Sequence, residues 1–361
     1  MFIPASGPAG TGEYYRCLAL ARALRRRHPQ FACHFLLSRE AAVERDPDIT
    51  YHLLDDTPTR ETGAVLALLE RLRPGLVIFD SAGRQSQYRA ARRIASLTVW
   101  ISDRPGKRRR GFRWRTMRQF DLHLIAAPGQ RAPGLGIRER LMCRLHPQLA
   151  VRFFSAIAPE TDPALGAKVL ESHGLVAGGY LLFVAGGGGY RHGGRPVPEI
   201  LLDAAALAGA DAGLRALVVL GPQYRGDVQA APGVSVLPSV STQALGALLQ
   251  GCRAAVTGAG SMLVAQGVAA GVACVLVPAG GHDQPARIRE LVEQGAALGA
   301  ELEPAIIAAA VSRLARDRAL RENVAEAALA AGLRNDVVML AELLGRELSD
   351  RTGLTLERPT A

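Results

Sequence analysis

The chain has 361 residues, of which 48% are hydrophobic and 21% charged, and its formal net charge is +10. This length allows two hydrophobic cores, and the apolar content excludes wholesale disorder. The apolar runs fall short of the ~18 residues that span a bilayer, and the start lacks the basic and apolar regions of a secretory signal. We therefore expect a cytoplasmic protein, with association at the inner face of the membrane as an open alternative.

Short apolar runs alternate with amphipathic stretches along the first half, a rhythm typical of βαβ units with a parallel sheet. Strands are predicted over 2–6, 32–38, 76–81, 98–103 and 121–126. Helices are predicted between them over 13–27, 60–73 and 85–96. The stretch that follows is less periodic and contains Pro159 and Pro163, so residues 153–178 are predicted to link two domains.

The same rhythm restarts after this linker. Strands are predicted over 180–185, 215–221, 234–237, 254–257 and 273–278. Helices are predicted over 198–208, 242–250, 261–270, 284–294 and 304–344, the last of them broken near Asp317. The sequence therefore predicts an α/β chain with an N-terminal domain over 1–152, a C-terminal domain over 179–345 and a polar tail over 346–361.

Positive charge is concentrated in the runs 25–27 and 107–115, and the second run includes Phe112 and Trp114. Such a patch suits an anionic membrane surface or a lipid-linked acceptor, and a solvated basic loop is the alternative. Nucleic acid is not expected as a partner. The five cysteines form no Cys-x-x-Cys pair, which favours reduced and buried thiols.

The first glycine-rich loop, residues 7–13, lies between the first predicted strand and helix and contains Gly10 and Gly12. Glycine lets backbone N–H groups approach a ligand, and a helix N-terminus favours negative charge. The loop lacks the third glycine of a dinucleotide-binding fingerprint, and no acidic residue ends the next strand. A ligand-binding loop and a plain tight turn both fit this stretch.

A second loop follows the strand predicted over 180–185 and consists of Gly186, Gly187, Gly188 and Gly189, with Tyr190 after them. Ordering four glycines is costly in conformational entropy, so contact between their backbone and a ligand would explain them. A flexible hinge is the alternative. The basic residues that come next and could meet a phosphate are Arg191, His192 and Arg195.

The strongest local pattern runs from Thr257 through Gly260 to Ser261, where a predicted strand leads into a predicted helix. The free N–H donors of a helix N-terminus can hold a diphosphate. The next predicted strand leads into a loop over 279–284, and its polar groups are expected at the same edge of the sheet. They are His282, Asp283 and Gln284.

Residues 254–298 resemble the donor-binding half of GT-B glycosyltransferases, and are most similar to the N-acetylglucosaminyltransferase that forms lipid II. They are equally similar to the UDP-sugar hydrolase of pseudaminic acid biosynthesis. The hydrolase pattern G-x-G-H-x-x-R-C-L-x-L-A is matched by Gly10, Gly12, Arg16, Cys17, Leu18, Leu20 and Ala21. The resemblance implies two Rossmann-like domains with parallel sheets that face a central cleft, and a nucleotide-sugar, UDP-linked, bound by the second domain.

The resemblance also implies roles for single residues. Glu13 stands where the hydrolase has the histidine taken as its catalytic group, and Gln266 stands where an acidic residue usually grips the donor ribose. The loop after Leu237 corresponds to one whose backbone reads the nucleobase, although Ser241 could simply cap a helix there. The predicted donor-binding residues are thus Gly186, Gly187, Gly188, Tyr190, Leu237, Gly260, Ser261, Gln266, His282, Asp283 and Gln284, and the acceptor-side loop contributes Gly10, Gly12 and Arg16.

We predict glycosyl transfer from a nucleotide-sugar to a hydroxyl acceptor, in cell-surface glycan or glycoconjugate biosynthesis. Glu13 is the predicted base and Asp103 the second candidate, although Asp80 and Asp103 could instead cap turns. No cofactor is expected. No metal is expected either, because Asp46-Pro47-Asp48 lies far from the donor loops, so helix dipole and backbone donors replace a cation. A UDP-sugar hydrolase and a non-catalytic nucleotide-sugar-binding scaffold are the alternatives.

Overall fold

The computed structural model describes residues 1–5, 12–41, 43, 45–130 and 132–353. The chain forms two compact units. The first unit comprises Met1–Ala127, Ala132–Ala158 and Asp336–Ala361, and the second unit comprises Pro128–Arg131 and Pro159–Asn335.

The strands are β1 (Phe2–Pro4), β2 (His34–Ser38), β3 (Thr50–Leu54), β4 (Leu76–Asp80), β5 (Leu97–Ser102), β6 (Leu122–Ala126), β7 (Ala150–Phe154), β8 (Tyr180–Val184), β9 (Arg191–His192), β10 (Arg195–Pro196), β11 (Arg215–Val219), β12 (Val234–Leu237), β13 (Ala254–Gly258), β14 (Cys274–Val277) and β15 (Leu298–Gly299). The helices are α1 (Gly12–Arg27), α2 (Thr62–Leu72), α3 (Gln85–Ile94), α4 (Pro105–Gly111), α5 (Trp114–Met117), α6 (Ile137–Leu145), α7 (Pro163–Ser172), α8 (Val197–Ala212), α9 (Thr242–Gly251), α10 (Ser261–Ala269), α11 (Gln284–Glu293), α12 (Pro304–Arg316), α13 (Arg318–Ala330) and α14 (Val337–Thr352).

The first unit is built on a parallel sheet with the strand order β3-β2-β1-β4-β5-β6-β7. Phe2 of β1 pairs with Phe35 of β2 on one side and with Ile78 of β4 on the other. The strand order reverses between β1 and β4. Ligands of α/β sheets bind outside the carboxyl ends of strands at such a switch point, so the loops after β1 and β4 are candidate binding elements.

The second unit repeats this arrangement with the parallel order β12-β11-β8-β13-β14-β15. Its switch point lies between β8 and β13, where Val184 pairs with Thr257. A short antiparallel hairpin, β9 with β10, follows β8 outside the sheet.

Helices bury both faces of each sheet, as parallel strands require. In the first unit, α1 and α14 pack on one face, and α2 and α3 pack on the other, where Tyr88 meets Phe79 and Trp100 edge to face. In the second unit, α8 and α12 cover one face, and α9 and α10 cover the other. Four cysteines are buried and Cys143 is half-buried, all of them free thiols.

Helix α14 belongs to the first unit although it lies at the end of the chain. The Asp336 carboxylate accepts from the Ser155 N–H at 2.6 Å, and the Asp336 N–H donates to Ala156 at 2.8 Å. Near the other end of the helix, Arg351 donates to the buried carboxylate of Asp121 at 2.9 Å. These contacts hold α14 to the sheet that begins the chain.

All the strands predicted from sequence are present, with ends that agree within two residues where the chain is described. Elements with a weak hydrophobic pattern were not predicted. Among them, β3 and β7 are partly exposed edge strands, and α6 has no buried residue. The predicted linker contains α7, and the helix predicted over 304–344 breaks at Asp317 and again after Ala330. The chain divides at residues 158 and 335 rather than over 153–178 and at 345, and α14 continues to Thr352, into the predicted tail.

No helix in the part of the chain that the structure describes is long and apolar enough to cross a membrane.

Candidate functional site

The two glycine loops of the second unit leave neighbouring strands at its switch point. Gly186 follows β8, and Gly260 follows β13, and these strands are paired directly. Because parallel strands end at one edge of a sheet, both loops begin side by side. The fold therefore brings together two stretches that lie more than seventy positions apart in the sequence.

The N-terminus of α10 is open. Gly260 is the N-cap residue with φ −64° and ψ 139°, and no side chain of the described residues caps the helix there. A Cβ atom at Gly260 would meet nothing within 4 Å. The first-turn N–H groups from Ser261 onward therefore have no side-chain cap at the positive end of the helix dipole, where an anion is favoured.

Backbone geometry accounts for some of the glycines in the loop after β8. Gly186 and Gly188 have φ values of +70° and +79°, in the left-handed region that favours glycine. A Cβ at Gly188 would also overlap the carbonyl oxygen of Leu220. Gly187 differs, because its φ is not positive and a Cβ there would meet only the Gln223 side-chain oxygen, at 3.4 Å. The fold alone therefore explains Gly188 but not Gly187.

A pocket of ≈ 400 Å³ opens beside this loop. It brings the predicted residues Gly188 and Tyr190 together with the guanidinium groups of Arg191, Arg195 and Arg225. Arg191 donates to the carbonyl of Gly194 at 3.0 Å, and Arg195 pairs with Asp203 at 2.9 Å, so both are held in the β9–β10 hairpin. The pocket is basic, but its lining does not include Gly260 or Ser261.

The loop before α11 presents one buried side chain and two exposed ones. Gln284 is buried, and its Oε1 has no hydrogen-bond partner among the described residues. His282 is exposed, and Asp283, also exposed, pairs with Arg287 at 2.6 Å. The same guanidinium donates to the carbonyl of Ala259 at 2.6 Å.

Arg287 was not predicted from sequence. Its contact with Ala259 places a positive charge one residue from the open end of α10. The only local signal is its position four residues after Asp283, a spacing that pairs opposite charges on a helix. Nothing in that spacing indicates the contact with the loop after β13.

Gln266 and Leu237 are already engaged within the second unit. Gln266 is 3% exposed and donates to the carbonyl of Thr242 at 2.9 Å. The carbonyl of Leu237 accepts from the Leu220 N–H at 3.0 Å. The hydroxyls of Thr242 and Thr257 are buried without a hydrogen-bond partner among the described residues. Polar atoms with unused capacity thus lie close to the predicted ribose and base contacts, whose roles stay predictions.

The switch point of the first unit carries a chain of ion pairs. The Arg16 guanidinium donates to both carboxylate oxygens of Asp80, at 2.7 and 2.6 Å, and to Asp103 at 3.3 Å. Arg104 pairs with both Asp103 and Glu13. The two predicted bases, Glu13 and Asp103, are therefore joined through one guanidinium. Of the predicted loop, Gly12 begins α1, and Gly10 lies outside the described residues.

Burial acts to raise the pKa of Asp80 and Asp103 in this network, and pairing with arginine acts to lower it. Burial raises the pKa of Asp80 to about 6, even against the adjacent Arg16. Burial also opposes ionisation of Asp103, but Arg16 and Arg104 outweigh it and hold its pKa below the usual range. Asp103 is therefore ionised at neutral pH, the state that a general base needs.

Ser81 is a strained residue beside these carboxylates that sequence reasoning missed. Its φ is +56°, which is uncommon for a residue other than glycine. Its hydroxyl donates to Asp103 at 3.3 Å, and Lys107 donates to its carbonyl at 2.6 Å. Lys107 thus links the basic run to the switch point, a contact over 26 residues that the run itself does not indicate.

Within residues 1–5, 12–41, 43, 45–130 and 132–353, no three His, Cys, Asp or Glu side chains gather as a metal site would require.

No family model and no curated protein sequence matches the chain. Solved structures do resemble it. Phytolacca americana UGT2, complexed with UDP-2-fluoro-glucose and pterostilbene, has a TM-score of 0.66 at 15% identity, over 96% of this chain and 99% of that one. Spinosyn forosaminyltransferase SpnP has a TM-score of 0.64 at 15% identity, over 96% of this chain and 98% of that one. Acinetobacter baumannii MurG has a TM-score of 0.59 at 16% identity, over 96% of this chain and 99% of that one. The chain therefore has the GT-B fold of glycosyltransferases, as predicted from sequence.

Proposed function

We propose that this chain transfers a sugar from a nucleoside diphosphate sugar to a hydroxyl acceptor. The observation that carries the proposal is the open N-terminus of α10 at the switch point of the second unit. That helix end is uncapped by any described side chain, and a Cβ at Gly260 would meet nothing within 4 Å. The guanidinium of Arg287, which also pairs with Asp283, lies next to it. Preorganised N–H donors aimed at a leaving diphosphate stabilise the charge that develops in the transition state.

The donor is proposed to be UDP-linked. Support comes from the similar fold of UGT2, which was solved with UDP-2-fluoro-glucose, whereas glycosyltransferase VinC, also similar in fold, was solved with dTDP. The diphosphate would bind the first-turn N–H groups of α10, with the loop after β8 beside it. Backbone donors and the helix dipole are proposed to carry its charge in place of a cation.

A second part of the proposal is that Glu13 accepts the proton of the acceptor hydroxyl. Glu13 lies in the first turn of α1 at the switch point of the first unit, where Arg104 holds its carboxylate. Asp103 is the alternative base, since Arg16 and Arg104 keep it ionised. A lipid-linked acceptor is proposed on the strength of the basic run over 107–115.

Donor binding is tested by replacing one N–H donor. The Gly260 conformation, φ −64° and ψ 139°, suits a following proline, and proline is tolerated in the first turn of a helix. Ser261→Pro therefore removes an N–H with little cost to α10, while Ser261→Ala removes only the hydroxyl. Losing one charge-assisted hydrogen bond, about 1.5–3 kcal/mol, should weaken UDP binding by roughly 10- to 150-fold in the first variant.

The readout is a thermal-shift titration with UDP, dTDP, GDP and CDP. A ligand at 100 times its dissociation constant adds about 2.7 kcal/mol, which is readily detected. Wild-type affinity in Ser261→Pro would contradict the proposed diphosphate site. Preference for dTDP over UDP would change the donor and leave the site intact.

Chemistry is tested separately from binding. Glu13→Gln should keep the UDP shift and lower turnover by about 10²- to 10⁴-fold, measured as UDP release with phenolic and lipid-linked hydroxyl acceptors. Asp103→Asn is the matched comparison, and a larger loss there would identify Asp103 as the base. Free sugar released from a UDP-sugar without acceptor would indicate a hydrolase. Binding without turnover across the panel would indicate a non-catalytic scaffold.

A further inference from the structure

Helix α6 in the first unit exposes an apolar stripe. Ile137, Leu141 and Leu145 are 79%, 56% and 54% exposed, and no residue of the helix is buried. At 3.6 residues per turn, positions i, i+4 and i+8 fall within an arc of about 80°. The three side chains therefore form one continuous strip along an exposed helix.

Trp114 lies near the C-terminal end of this helix. It lies on α5 and is 49% exposed. Its ring lies 4.1 Å from that of His146, measured between centroids, and His146 is the C-cap residue of α6, next to Leu145. We refer to Ile137, Leu141, Leu145 and Trp114 as the α6 surface. Exposed apolar side chains grouped in this way mark an interaction site, whereas scattered ones do not.

The charges around the α6 surface have one sign. Arg140 and Arg144 fall on one edge of the strip and Arg138 on the other, and all three are exposed. The helix has one acidic residue, Glu139, which lies on the opposite side and accepts from Arg108 at 2.6 and 2.8 Å. Residues 104–118, which include α5, contain seven arginines and one lysine, and neither Asp nor Glu.

We propose that the α6 surface docks onto the surface of an anionic phospholipid bilayer. An amphipathic helix with an apolar strip, flanking arginines and a tryptophan lies in the interface plane, with the strip inserted and the guanidinium groups at the headgroups. Charge complementarity selects the occupant, because the exposed arginines along both edges of the strip match an anionic surface. Vesicle binding is measured without a donor or an acceptor, so the test does not depend on the proposed reaction.

The experiment is co-sedimentation of the full chain with vesicles of phosphatidylcholine alone or mixed with phosphatidylglycerol. We expect binding to the anionic vesicles only, and release as added salt screens the arginines. Ile137→Ser, Leu141→Ser and Leu145→Ser together should weaken binding by at least about tenfold. Changing Arg138, Arg140 and Arg144 to Gln should weaken it about fivefold per residue.

The matched control replaces equally exposed apolar residues of the second unit, with Val176→Ser, Leu207→Ser and Leu329→Ser combined. It should bind like the wild type, and the UDP thermal shift should survive in every variant. Fluorescence gives an independent readout, because the chain has two tryptophans and Trp100 is fully buried. The emission should shift to the blue on anionic vesicles, and Trp114→Phe should abolish that shift.

Three results would overturn the proposal. The wild type could ignore anionic vesicles, or the serine variant could bind them as tightly as the control does. The wild type could also self-associate without lipid while the serine variant stays monomeric, which would make the α6 surface an interface between two copies of the chain. A failed UDP shift with intact vesicle binding would count against the proposed function alone.

Discussion

In the glycine loop after β8, the fold requires glycine at position 188, whereas the neighbouring Gly187 is a candidate for contact with a ligand. Gly188→Ala puts a side chain into the left-handed region, at about 1–2 kcal/mol, and the overlap with Leu220 forces the backbone to move. We expect a total loss of about 2–4 kcal/mol, which is a drop of roughly 4–16 °C in the melting temperature of the second unit. Gly187→Ala should stay within about 0.5 kcal/mol of the wild type, because its φ is not positive and the facing Gln223 side chain can turn away.

The assay is thermal unfolding of both variants with and without UDP. If the loop contacts the donor, Gly187→Ala melts like the wild type but loses much of its UDP shift, since the new methyl group lies between backbone and ligand. A Gly188→Ala protein as stable as the wild type would refute the reasoning, because the close approach of the loop to Leu220 could then not exist. Stable Gly187→Ala with an unchanged shift would make the tetraglycine purely structural.

Two further predictions concern buried charge in the first unit. Arg16→Met should cost about 3–5 kcal/mol at neutral pH, because Asp80 is left buried and unpaired. The cost should shrink as the pH falls toward 6, because the Asp80 carboxyl, whose pKa burial raises to about 6 even beside Arg16, takes a proton at a higher pH once that guanidinium is gone. Adding Asp80→Asn should recover part of the cost, and unchanged stability in Arg16→Met would contradict this account. Asp121→Asn should cost about 1.5–3 kcal/mol, because this carboxylate accepts from Thr98, Arg92 and Arg351. Although burial opposes ionisation of Asp121, these partners lower its pKa in the folded protein. Its contribution to stability is therefore complete above pH ~4 and is lost as the pH falls through the pKa of the folded state. Acid titration should destabilise the wild type more than Asp121→Asn, and parallel stability curves for the two proteins would argue against this account.

The positions of the buried strands along the chain and the place of the glycine loops could be predicted because both follow from local pattern. Buried parallel strands such as β4 and β8 are continuous apolar runs bounded by glycine or charge. Edge strands β3 and β7 lack that pattern, because only the last of the five residues in each is buried and the other positions accept polar side chains. Helix α6 was missed for a related reason: periodicity reveals a helix through its buried face, and α6 has none.

The partners of the site residues could not be predicted from sequence. Arg16 was selected from a motif, but its bidentate contact with Asp80 spans 64 positions and has no local signal. Asp80 and Asp103 were each given two roles, turn cap or cleft carboxylate, and both prove to hold the same guanidinium. Only the topology, which places β4 and β5 beside β1, brings these side chains to one edge.

The two units share one strand order at their switch points, yet the charged side chains at those points differ. In the first unit, three acidic side chains offset three basic ones, namely Glu13, Asp80, Asp103, Arg16, Arg104 and Lys107. A diphosphate there would have to compete with carboxylates for every cation. In the second unit, no acidic residue lies between Gly258 and Ala269, and the uncapped end of α10 offers N–H donors with Arg287, itself paired with Asp283, beside them. This difference supports the proposal that an anionic donor binds at the second switch point and that the carboxylates of the first act on a neutral hydroxyl.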